Sequence, residues 1–357
     1  MTAHGRVPQV DVLVVGGGPV GLAAAIEARM VGHDVLVVEP RSGPIDKACG
    51  EGLMPGTLAA LQRLDVDPDG HPLRGIGYRA PGRAVDHSFG NGPGRGVRRT
   101  TLHAALLDRC AAVGVEQRTA RVDAVEIVGD RTTVTLRIAG AQHGAPLQVS
   151  ARWLLACDGL HSTVRRLLGL ERPAPARAPR RYGLRRHVQI APWSDLVEVH
   201  WGERAEAYVT PVAEDLVGIA LLGPRGTVFD DALSGFPELA ARIEGAPLGE
   251  VRGAGPLRQD SRRRSLGPVR LVGDASGYVD ALTGEGLRLG FAQARAAVAT
   301  LDSASDYERA WRAEGRDHRL LTRALVTWAT SPLRGAVVPV AAAAPVVFGA
   351  AVDRLAR

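Results

Sequence analysis

A glycine-rich turn between an apolar strand and an alanine-rich helix places the strongest constraint on the fold of this chain. Val10 and residues 12–15 form an apolar, β-branched run that is typical of a fully buried parallel strand, and the run ends at residues 16–21, GGGPVG. The spacing of Gly16, Gly18 and Gly21 permits a tight turn, close approach of a pyrophosphate and tight helix–strand packing. The free N–H groups of the following helix favour phosphate. The stretch therefore predicts an adenine dinucleotide near residue 16 without indicating which one.

A second apolar strand ends in an acidic residue. Residues 34–38 follow the helix, and Glu39 stands at the tip of this strand, roughly 20 residues after the glycine turn. A carboxylate at this place can accept hydrogen bonds from a ribose diol. Pro40 then opens a loop, in which Arg41 either reaches the adenosine or its phosphates or is an ordinary solvated arginine.

The composition limits the class of protein. The 357 residues suffice for two domains or one large elaborated domain, and the hydrophobic content of 45% is ordinary for a globular protein. The net charge of +6 comes almost entirely from arginines spread along the chain, so nucleic acid is not an expected partner. Three scattered cysteines, Cys49, Cys110 and Cys157, lack metal-ligand spacing, so we expect no metal site and a reducing cytoplasm.

The two ends of the chain bear on secretion and on membranes. Residues 1–9 lack the apolar core of a signal peptide, so we do not expect secretion. Residues 335–352 are apolar, but Pro339 and Pro345 interrupt them and the segment is short for a bilayer span. We interpret this segment as a pair of helices packed on the core, with a weak peripheral membrane contact as the alternative. The oligomeric state is not indicated.

Another buried strand, farther along the chain, runs into a turn that carries a carboxylate. Residues 153–157 are followed directly by Asp158-Gly159 and by a helix that contains Arg165. Carboxylates at the carboxyl edge of a parallel sheet lie where such folds bind ligands. His161 stands in the same turn, but no acid or nucleophile is paired with it, so we interpret it as solvent-facing.

The same pattern of strand and acidic turn occurs a third time. Residues 269–272 lead into Gly273-Asp274, whose carboxylate can bind a polyol hydroxyl. Further on, Gly284-Glu285-Gly286-Leu287 opens a long helix, so that its amides can face a ligand.

A further glycine-rich turn covers residues 49–52. Gly50 and Gly52 favour close approach of a ligand to the backbone. Cys49 is either a reactive thiol near a helix start or a small buried residue. Glu51 stands between the two glycines.

Between the second and third motifs, alternating patterns predict a run of strands. These strands suit an antiparallel sheet that carries a substrate pocket on one face. Tyr208 and Pro211 are the candidate pocket residues, and ordinary sheet packing is the alternative for both. The strands are predicted at residues 188–190, 197–201, 206–210 and 216–222.

Together, the three strand-tip motifs resemble the flavin-dependent monooxygenase superfamily of the aromatic-hydroxylase type. The glycine turn with Glu39 is similar to its ADP site, Asp158-Gly159 with Arg165 to its Asp-Gly motif, and Gly273-Asp274 to its Gly-Asp motif. Arg99 matches an arginine that commonly contacts FAD in that family. The resemblance covers almost the whole chain and implies FAD as cofactor. It also implies NAD(P)H as a transient reductant, since no second glycine fingerprint is visible.

The resemblance and the motifs assign one set of residues to the cofactor. This set is Gly16, Gly18, Pro19, Val20, Gly21, Glu39, Pro40, Arg41, Cys49, Gly50, Arg99, Asp158, Gly159, Arg165, Gly273, Asp274, Gly284, Glu285, Gly286 and Leu287.

The resemblance implies an α/β fold with two domains. A discontinuous FAD-binding, Rossmann-like domain takes residues 1–75, 98–175 and 268–357, and a substrate domain with an antiparallel sheet takes residues 76–97 and 176–267. Within the first domain, three alternating segments predict a small antiparallel crossover sheet. These segments are residues 122–128, 132–138 and 147–150.

One stretch departs from the typical aromatic hydroxylase and leaves the reaction open. That family usually carries His and then Pro-x-x-Gly-Gln-Gly after the Gly-Asp motif, whereas residues 273–286 read GDASGYVDALTGEG. This sequence is similar to that of the geranylgeranyl reductase branch, whose members also carry Cys-Gly where Cys49 and Gly50 stand. We expect an NAD(P)H-using monooxygenase that hydroxylates an apolar or aromatic small molecule through a flavin C4a-hydroperoxide. The alternatives are a double-bond reductase, with Cys49 or Glu51 as proton donor, and a non-enzymatic FAD-binding module.

Overall fold

Strands and helices alternate along the residues that the computed structural model describes, which are 7–138, 146–173, 175 and 178–357. The strands are β1 (Gln9–Val15), β2 (Val35–Glu39), β3 (Gly52–Leu53), β4 (His71–Leu73), β5 (Gly75–Ala80), β6 (Arg83–Ser88), β7 (Gly94–Gly96), β8 (Glu116–Val128), β9 (Arg131–Ile138), β10 (Leu147–Ala156), β11 (Arg181–Gln189), β12 (Leu196–Trp201), β13 (Glu206–Ala213), β14 (Leu216–Pro224), β15 (Arg252–Ala254), β16 (Ser265–Leu266) and β17 (Val269–Leu271). The helices are α1 (Pro19–Met30), α2 (Pro55–Arg63), α3 (Arg99–Ala112), α4 (Thr163–Leu167), α5 (Phe229–Leu233), α6 (Pro237–Arg242), α7 (Gly286–Ala299), α8 (Ala304–Ala329), α9 (Val337–Ala343) and α10 (Pro345–Ala356), with short 3₁₀ turns at Gly273–Ser276 and Arg334–Ala336.

The first sheet has the predicted parallel core. β1 pairs in parallel with β2 on one side and with β10 on the other, and β10 pairs in parallel with β17. Val12 and Val14 pack into the core under α1, α3 and α7, whereas Leu13 and Val15 face the opposite core with the crossover strands. Because successive strand residues point to opposite faces and both faces are covered, residues 12–15 have to be apolar throughout.

The crossover sheet is confirmed. The first residues of β8 pair with β2, and the rest of β8 pairs with β9 in an antiparallel ladder. β9 then pairs with the first half of β10. β10 therefore serves both the crossover sheet and the parallel sheet, and its carboxyl end reaches the same edge as β1 and β2.

The second sheet has the order β15-β11-β14-β13-β12-β5-β6. Its pairings are antiparallel, as predicted, except that β12 and β5 run parallel. Helices α5 and α6 cover one face through Phe229, Phe236 and Leu239. β7 lies inside the predicted substrate segment 76–97, yet it pairs with β3 and β4 outside that segment. The domain boundaries stay a prediction.

The C-terminal helices α9 and α10 pack against the second sheet and beside α2. Asp353 accepts a hydrogen bond from the Gly90 N–H at 3.0 Å and lies 3.1 Å from Nε2 of His87, which ties α10 to β6 and the turn after it. In the part of the chain that the structure describes, no single helix is long and apolar enough to cross a bilayer. Residues 334–343 and 345–356 meet that requirement only as a pair, with a bend of 105° between them.

Candidate functional site

Most of the predicted cofactor residues line one cavity of about 850 Å³ between the two large sheets. The carboxyl ends of β1, β2 and β10 open into it, together with the first turn of α7. The lining residues from the predicted set are Gly16, Gly18, Pro19, Val20, Glu39, Pro40, Arg41, Cys49, Gly50, Arg99, Asp158, Gly159, Asp274, Gly284, Glu285, Gly286 and Leu287. The fold thus brings the three strand-tip motifs together although they are far apart in the sequence.

The glycine turn is shaped by two close backbone contacts. Gly16 has φ of +104°, and a Cβ atom there would lie 2.5 Å from the carbonyl oxygen of Cys157. A Cβ atom on Gly21 would lie 1.8 Å from the carbonyl oxygen of Gly16. Gly21 does not line the cavity, so its part is the tight helix–strand packing that the spacing predicted rather than contact with a ligand.

Glu39 stabilises the turn from the tip of β2. Its Oε2 accepts the Gly17 N–H at 2.9 Å, and its Oε1 accepts Arg41 Nε at 2.7 Å. Arg41 is more than half exposed at the rim of the cavity, which leaves it able to reach a phosphate. A carboxylate has about four lone-pair sites, so Glu39 can still accept from a ribose.

His103 fixes the same turn from α3 and was missed in the sequence. Its Nδ1 accepts the Ile45 N–H at 3.4 Å, so Nε2 carries the proton and donates to the Gly17 carbonyl at 2.6 Å. Burial lowers the pKa of His103, which keeps this tautomer neutral. The partners are 86 residues apart, and no local pattern signals such a contact.

Asp158 presents one engaged and one free carboxylate oxygen. Oδ2 accepts the Val164 N–H at 3.0 Å, while Oδ1 is buried and accepts no hydrogen bond from the described residues. Burial raises the pKa of Asp158. An unpartnered buried acceptor beside a cleft calls for a ligand donor, such as a ribose or ribityl hydroxyl.

Arg165 requires a correction. Its side chain is buried outside the cavity and donates to the carbonyls of Ala275 at 2.9 Å and Leu160 at 2.8 Å. It therefore holds the Asp158 turn against the Gly273 turn and does not itself contact the cofactor site. The resemblance assigned Arg165 to the cofactor, but a motif match alone cannot give the direction of a side chain.

Asp274 faces the cavity in a positive environment. Burial raises its pKa, and the charges of Lys47, Arg99 and Arg165 oppose that rise. Lys47 also lines the cavity, with Nζ 3.6 Å from where a Cβ on Gly159 would stand. No sequence motif includes Lys47. It is, however, the single lysine of an arginine-rich chain, and that distinguishes it in the sequence. Gly273 lies behind the cavity, where its N–H donates to Gln293.

The start of α7 lies beside a tyrosine that was also missed. A Cβ atom on Gly286 would lie 3.4 Å from the Tyr278 hydroxyl oxygen. Burial raises the pKa of Tyr278 well above its ordinary value. Glu285 is buried in an ion pair with Arg288 at 2.7 Å, and burial raises the pKa of Glu285 to about 7.

Glu51 adopts a backbone conformation that is rare for a residue with a side chain. Its φ is +60°, and the structure holds it there by contacts on both carboxylate oxygens. Oε1 accepts the Arg99 N–H at 2.9 Å, and Oε2 lies 2.7 Å from Nε2 of His187. Arg185 can only donate, at 3.0 Å, to Nδ1 of His187, so Nε2 carries the proton and donates to Glu51.

These donors bear on the candidate proton donors. Both carboxylate oxygens of Glu51 accept an N–H group, one from Arg99 and one from His187, so neither oxygen is free to pass a proton to a ligand. Cys49 lines the cavity, is half-buried and accepts the Glu51 N–H on Sγ at 3.4 Å. The neighbouring Gly50 carbonyl accepts from Oγ1 of Thr210 at 2.8 Å, which fixes the turn to the second sheet.

The part of the cavity under the second sheet is apolar. Tyr208 lines it as predicted, and its hydroxyl donates to the Leu282 carbonyl at 2.7 Å. Pro211 does not line the cavity, because its carbonyl lies beneath Gly96, where a Cβ would approach to 1.7 Å. Other apolar lining residues are Met54, Ile76, Val197, Val199, Ala220, Leu222, Leu257, Leu282, Val352, Leu355 and Ala356.

His161 is exposed, as the sequence indicated. Its Nε2 lies 3.1 Å from the Gly255 carbonyl oxygen, and the residue is not part of the cavity lining. Nothing in these contacts gives it a part in the chemistry.

The chain resembles one protein family and several curated proteins. The family described as "FAD binding domain" matches residues 9–202. The menaquinone reductase of Mycolicibacterium smegmatis is 30% identical over 350 residues, covering 87% of this chain and 81% of that protein. Digeranylgeranylglycerophospholipid reductase 1 of Methanothermobacter thermautotrophicus is 26% identical, covering 79% of this chain and 74% of that protein. The rifampicin monooxygenase of Streptomyces venezuelae is 32% identical but covers 46% of this chain and 34% of that protein.

Solved structures share the fold. The p-nitrophenol 4-monooxygenase of Pseudomonas putida superposes with a TM-score of 0.79 over 98% of this chain and 95% of that chain, at 19% identity. The α/β fold predicted for the chain is therefore confirmed, and FAD is the dinucleotide that the glycine turn left open.

Proposed function

The chain belongs to the FAD-binding domain family and is an FAD-dependent oxidoreductase, and from this premise we propose that it reduces carbon–carbon double bonds of a polyprenyl lipid. The observation that carries the proposal is the apolar half of the cavity. Its aliphatic wall runs from the Cys49-Gly50 turn and the start of α7 to the C-terminal helix α10. Such a wall suits a long hydrocarbon chain, which gains stability from each methylene removed from water.

The names of the relatives support this substrate class. Menaquinone and the digeranylgeranyl glycerophospholipids both carry polyprenyl chains, and the relatives named for them align along most of their length. A monooxygenase is the second candidate, favoured by the 32% identity to the rifampicin monooxygenase over 46% of this chain. The reductase, which the sequence left as an alternative, is supported by sequence similarity to the named reductases over 87% and 79% of this chain.

The proposed reaction divides between the cofactor and the protein. Bound FAD, reduced by NAD(P)H, supplies a hydride to one alkene carbon. The protein residues hold the chain, exclude water and supply one proton to the other alkene carbon. Gly16, Gly18 and Glu39 would hold the adenosine diphosphate, and Asp158 and Asp274 the hydroxyls that follow it.

Tyr278 is the first candidate for the proton donor, and Cys49 is the second. The Tyr278 hydroxyl lies against the start of α7 and makes no hydrogen bond to a residue in the described ranges. Because burial raises its pKa well above 10, the phenol stays protonated at neutral pH. The Tyr208 hydroxyl is already engaged by the Leu282 carbonyl, and both carboxylate oxygens of Glu51 already accept hydrogen bonds from the protein.

Anaerobic turnover tests the proposal directly. The purified holoenzyme is given NADPH or NADH with menaquinone, with a digeranylgeranyl glycerophospholipid, and with a panel of phenols. We expect the lipid to gain two hydrogens per reduced bond without oxygen, one of them deuterium when the solvent is D₂O. Turnover that requires oxygen and leaves labelled oxygen in the product would support the monooxygenase instead. A flavin that neither nucleotide bleaches would indicate a non-enzymatic FAD-binding module.

The proton donor is tested by Tyr278→Phe beside Cys49→Ala. We expect Tyr278→Phe to leave flavin reduction by the nucleotide intact while product formation falls by about a hundredfold, the usual range for a lost general acid. Product formation by Cys49→Ala should fall by less than product formation by Tyr278→Phe. The reverse order would assign the proton to Cys49.

We also propose that the bent pair α9–α10 rests on a lipid bilayer. Val346 and Val347 at the bend are 83% and 69% exposed, and Val352 and Leu355 farther along α10 line the cavity. A lipid could pass from the bilayer to the cavity beside this helix. The double variant Val346→Asp/Val347→Asp should no longer sediment with phospholipid vesicles. The control variant Val228→Asp, just before α5, should still sediment with them. Equal sedimentation of both variants would contradict the contact.

A further inference from the structure

A second, smaller cleft shares Tyr278 with the large cavity. Its volume is about 40 Å³, enough for a small ion or a few waters. The cleft lies between the loop before β16, the turn at Gly277 and the middle of α8. Four arginines line it, and Asp260 is the single acidic residue among its lining residues. The arginines are Arg258, Arg264, Arg319 and Arg323.

The positive charge of this cleft is only partly neutralised. Arg264 lies 3.4 Å from Asp260, but within the described ranges Arg258, Arg319 and Arg323 form no ion pair with a carboxylate. Arg319 donates instead to the Arg312 carbonyl at 3.0 Å. Burial, together with the charges of Arg264, Arg323 and Arg312, lowers the pKa of Arg319 to about 10. A bound anion would relieve this repulsion.

The arginines are held in place by specific packing. Arg264 and Arg319 each lie 4.0 Å from the centre of the Trp311 ring, which stabilises two neighbouring cations. A Cβ atom on Gly315 would lie 2.0 Å from Nη1 of Arg319, so the glycine leaves the space into which this side chain folds back. The site is therefore built by several elements and is not a row of solvated surface arginines.

His318 adds an independent observation. Its side chain lines the cleft and is 5% exposed, and its Nδ1 is buried without a hydrogen-bond partner among the residues described. Burial, with Arg288 and Arg319 nearby, lowers the pKa of His318 to about 4. A buried ring nitrogen without a partner calls for a ligand, and an anion would satisfy it through the N–H tautomer.

We propose that this cleft binds a phosphate group. Guanidinium groups from two different segments surround the space, and their forked donors match the several oxygens of a phosphate better than a single chloride. Trp311 donates to Oγ of Ser276 at 2.8 Å, and Ser276 donates to the Gly273 carbonyl at 2.7 Å. The cleft is thus connected to the turn that carries Asp274, although its occupancy does not depend on the reaction proposed above.

Binding of inorganic phosphate to the holoenzyme tests the proposal. Calorimetric titration at constant ionic strength compares wild type with Arg319→Gln/Arg323→Gln. Arg309→Gln is the matched control, because Arg309 lies on the same helix and pairs with Asp306. We expect the double variant to bind phosphate at least about tenfold more weakly, the effect of losing a charged hydrogen bond, and Arg309→Gln to bind like wild type. If the double variant retains less FAD than wild type, Arg258→Gln replaces it. We expect this single variant to bind phosphate more weakly as well.

Two further arms identify the source of the phosphate. Tighter binding of 2′,5′-ADP than of phosphate, lost in the double variant, assigns the cleft to the 2′-phosphate of NADPH. Arginine-dependent binding to vesicles that contain phosphatidic acid assigns it to a lipid headgroup, and binding of phosphate alone assigns it to the free ion. Equal phosphate binding by wild type and both arginine variants, or equal displacement by chloride, would overturn the proposal.

Discussion

His187 donates a 2.7 Å hydrogen bond to Glu51 and thereby joins the second sheet to the turn that carries Cys49 and Gly50. The two residues are 136 positions apart, and both side chains are buried. Arg185 determines the tautomer of His187, so the imidazole acts as a fixed donor. The function of Glu51 is consequently to position the cavity wall, and its left-handed backbone persists because these contacts hold it.

The Glu51 contacts predict a graded loss of stability. Glu51→Ala leaves the His187 and Arg99 N–H groups unpaired, so we expect the free energy of unfolding to fall by about 3 kcal/mol. Glu51→Gln keeps an acceptor and should lose about 1 kcal/mol. Urea denaturation with excess FAD measures both, and the exposed Glu203→Ala serves as control. An unchanged midpoint for Glu51→Ala would show that these contacts contribute little.

Asp274 should matter for FAD retention, whereas His161 should not. Asp274 lines the cavity, and His161 is exposed outside it. We expect Asp274→Ala to weaken FAD binding by about tenfold or more, the value of a charged hydrogen bond, and His161→Ala to leave it unchanged. The ratio of flavin to protein absorbance after gel filtration measures this. Equal flavin content in the two variants would contradict the assignment of Asp274.

Gly21→Ala tests the packing of the glycine turn. The added methyl would lie 1.8 Å from the Gly16 carbonyl oxygen, so the strand and helix have to separate. We expect a loss of at least about 2 kcal/mol in unfolding free energy together with loss of FAD. Gly335→Ala is the control, because a Cβ there meets nothing within 4 Å. Similar thermal midpoints for the two variants would rule out the packing explanation.

Glu285 predicts a specific pH dependence. Burial raises its pKa from 4.5 to about 7, so the native state binds the proton more tightly than the unfolded state does. The resulting stability is fully present below pH 4.5 and is lost as the pH rises through about 7. When the pH is raised from 5 to 8, the free energy of unfolding of Glu285→Gln should therefore increase by about 2 kcal/mol relative to that of wild type.

Denaturation at both pH values, with FAD in excess, measures the change for Glu285→Gln. Glu203→Gln, at an exposed site, should show no such relative gain. A difference between Glu285→Gln and wild type that stays constant with pH would mean that Glu285 is ionised throughout this range.

The strand-tip motifs could be predicted because each is a local pattern. Gly16, Asp158 and Asp274 are each set by a buried strand and the turn directly after it, and parallel strands bring such turns to one edge. His103, His187 and Tyr278 could not be predicted. Their contacts are made with segments that are distant in the sequence and meet only in the folded chain. Arg165 and Pro211 stand in the predicted places but point away from the cavity. Periodicity gives a residue's element, whereas the direction of a side chain depends on its packing.

The pairing of β10 with β17 has a consequence for biosynthesis. Leu154 and Ala156 pair in register with Val269 and Leu271, which leave the ribosome more than a hundred residues later. Until then the nascent chain exposes an apolar strand edge, a template for aggregation. Asp274 and the first turn of α7 emerge later still, so the growing polypeptide cannot capture its flavin before these segments have been synthesised. Chaperone protection until β17 emerges, and cofactor supply after that point, should therefore limit the yield of active protein.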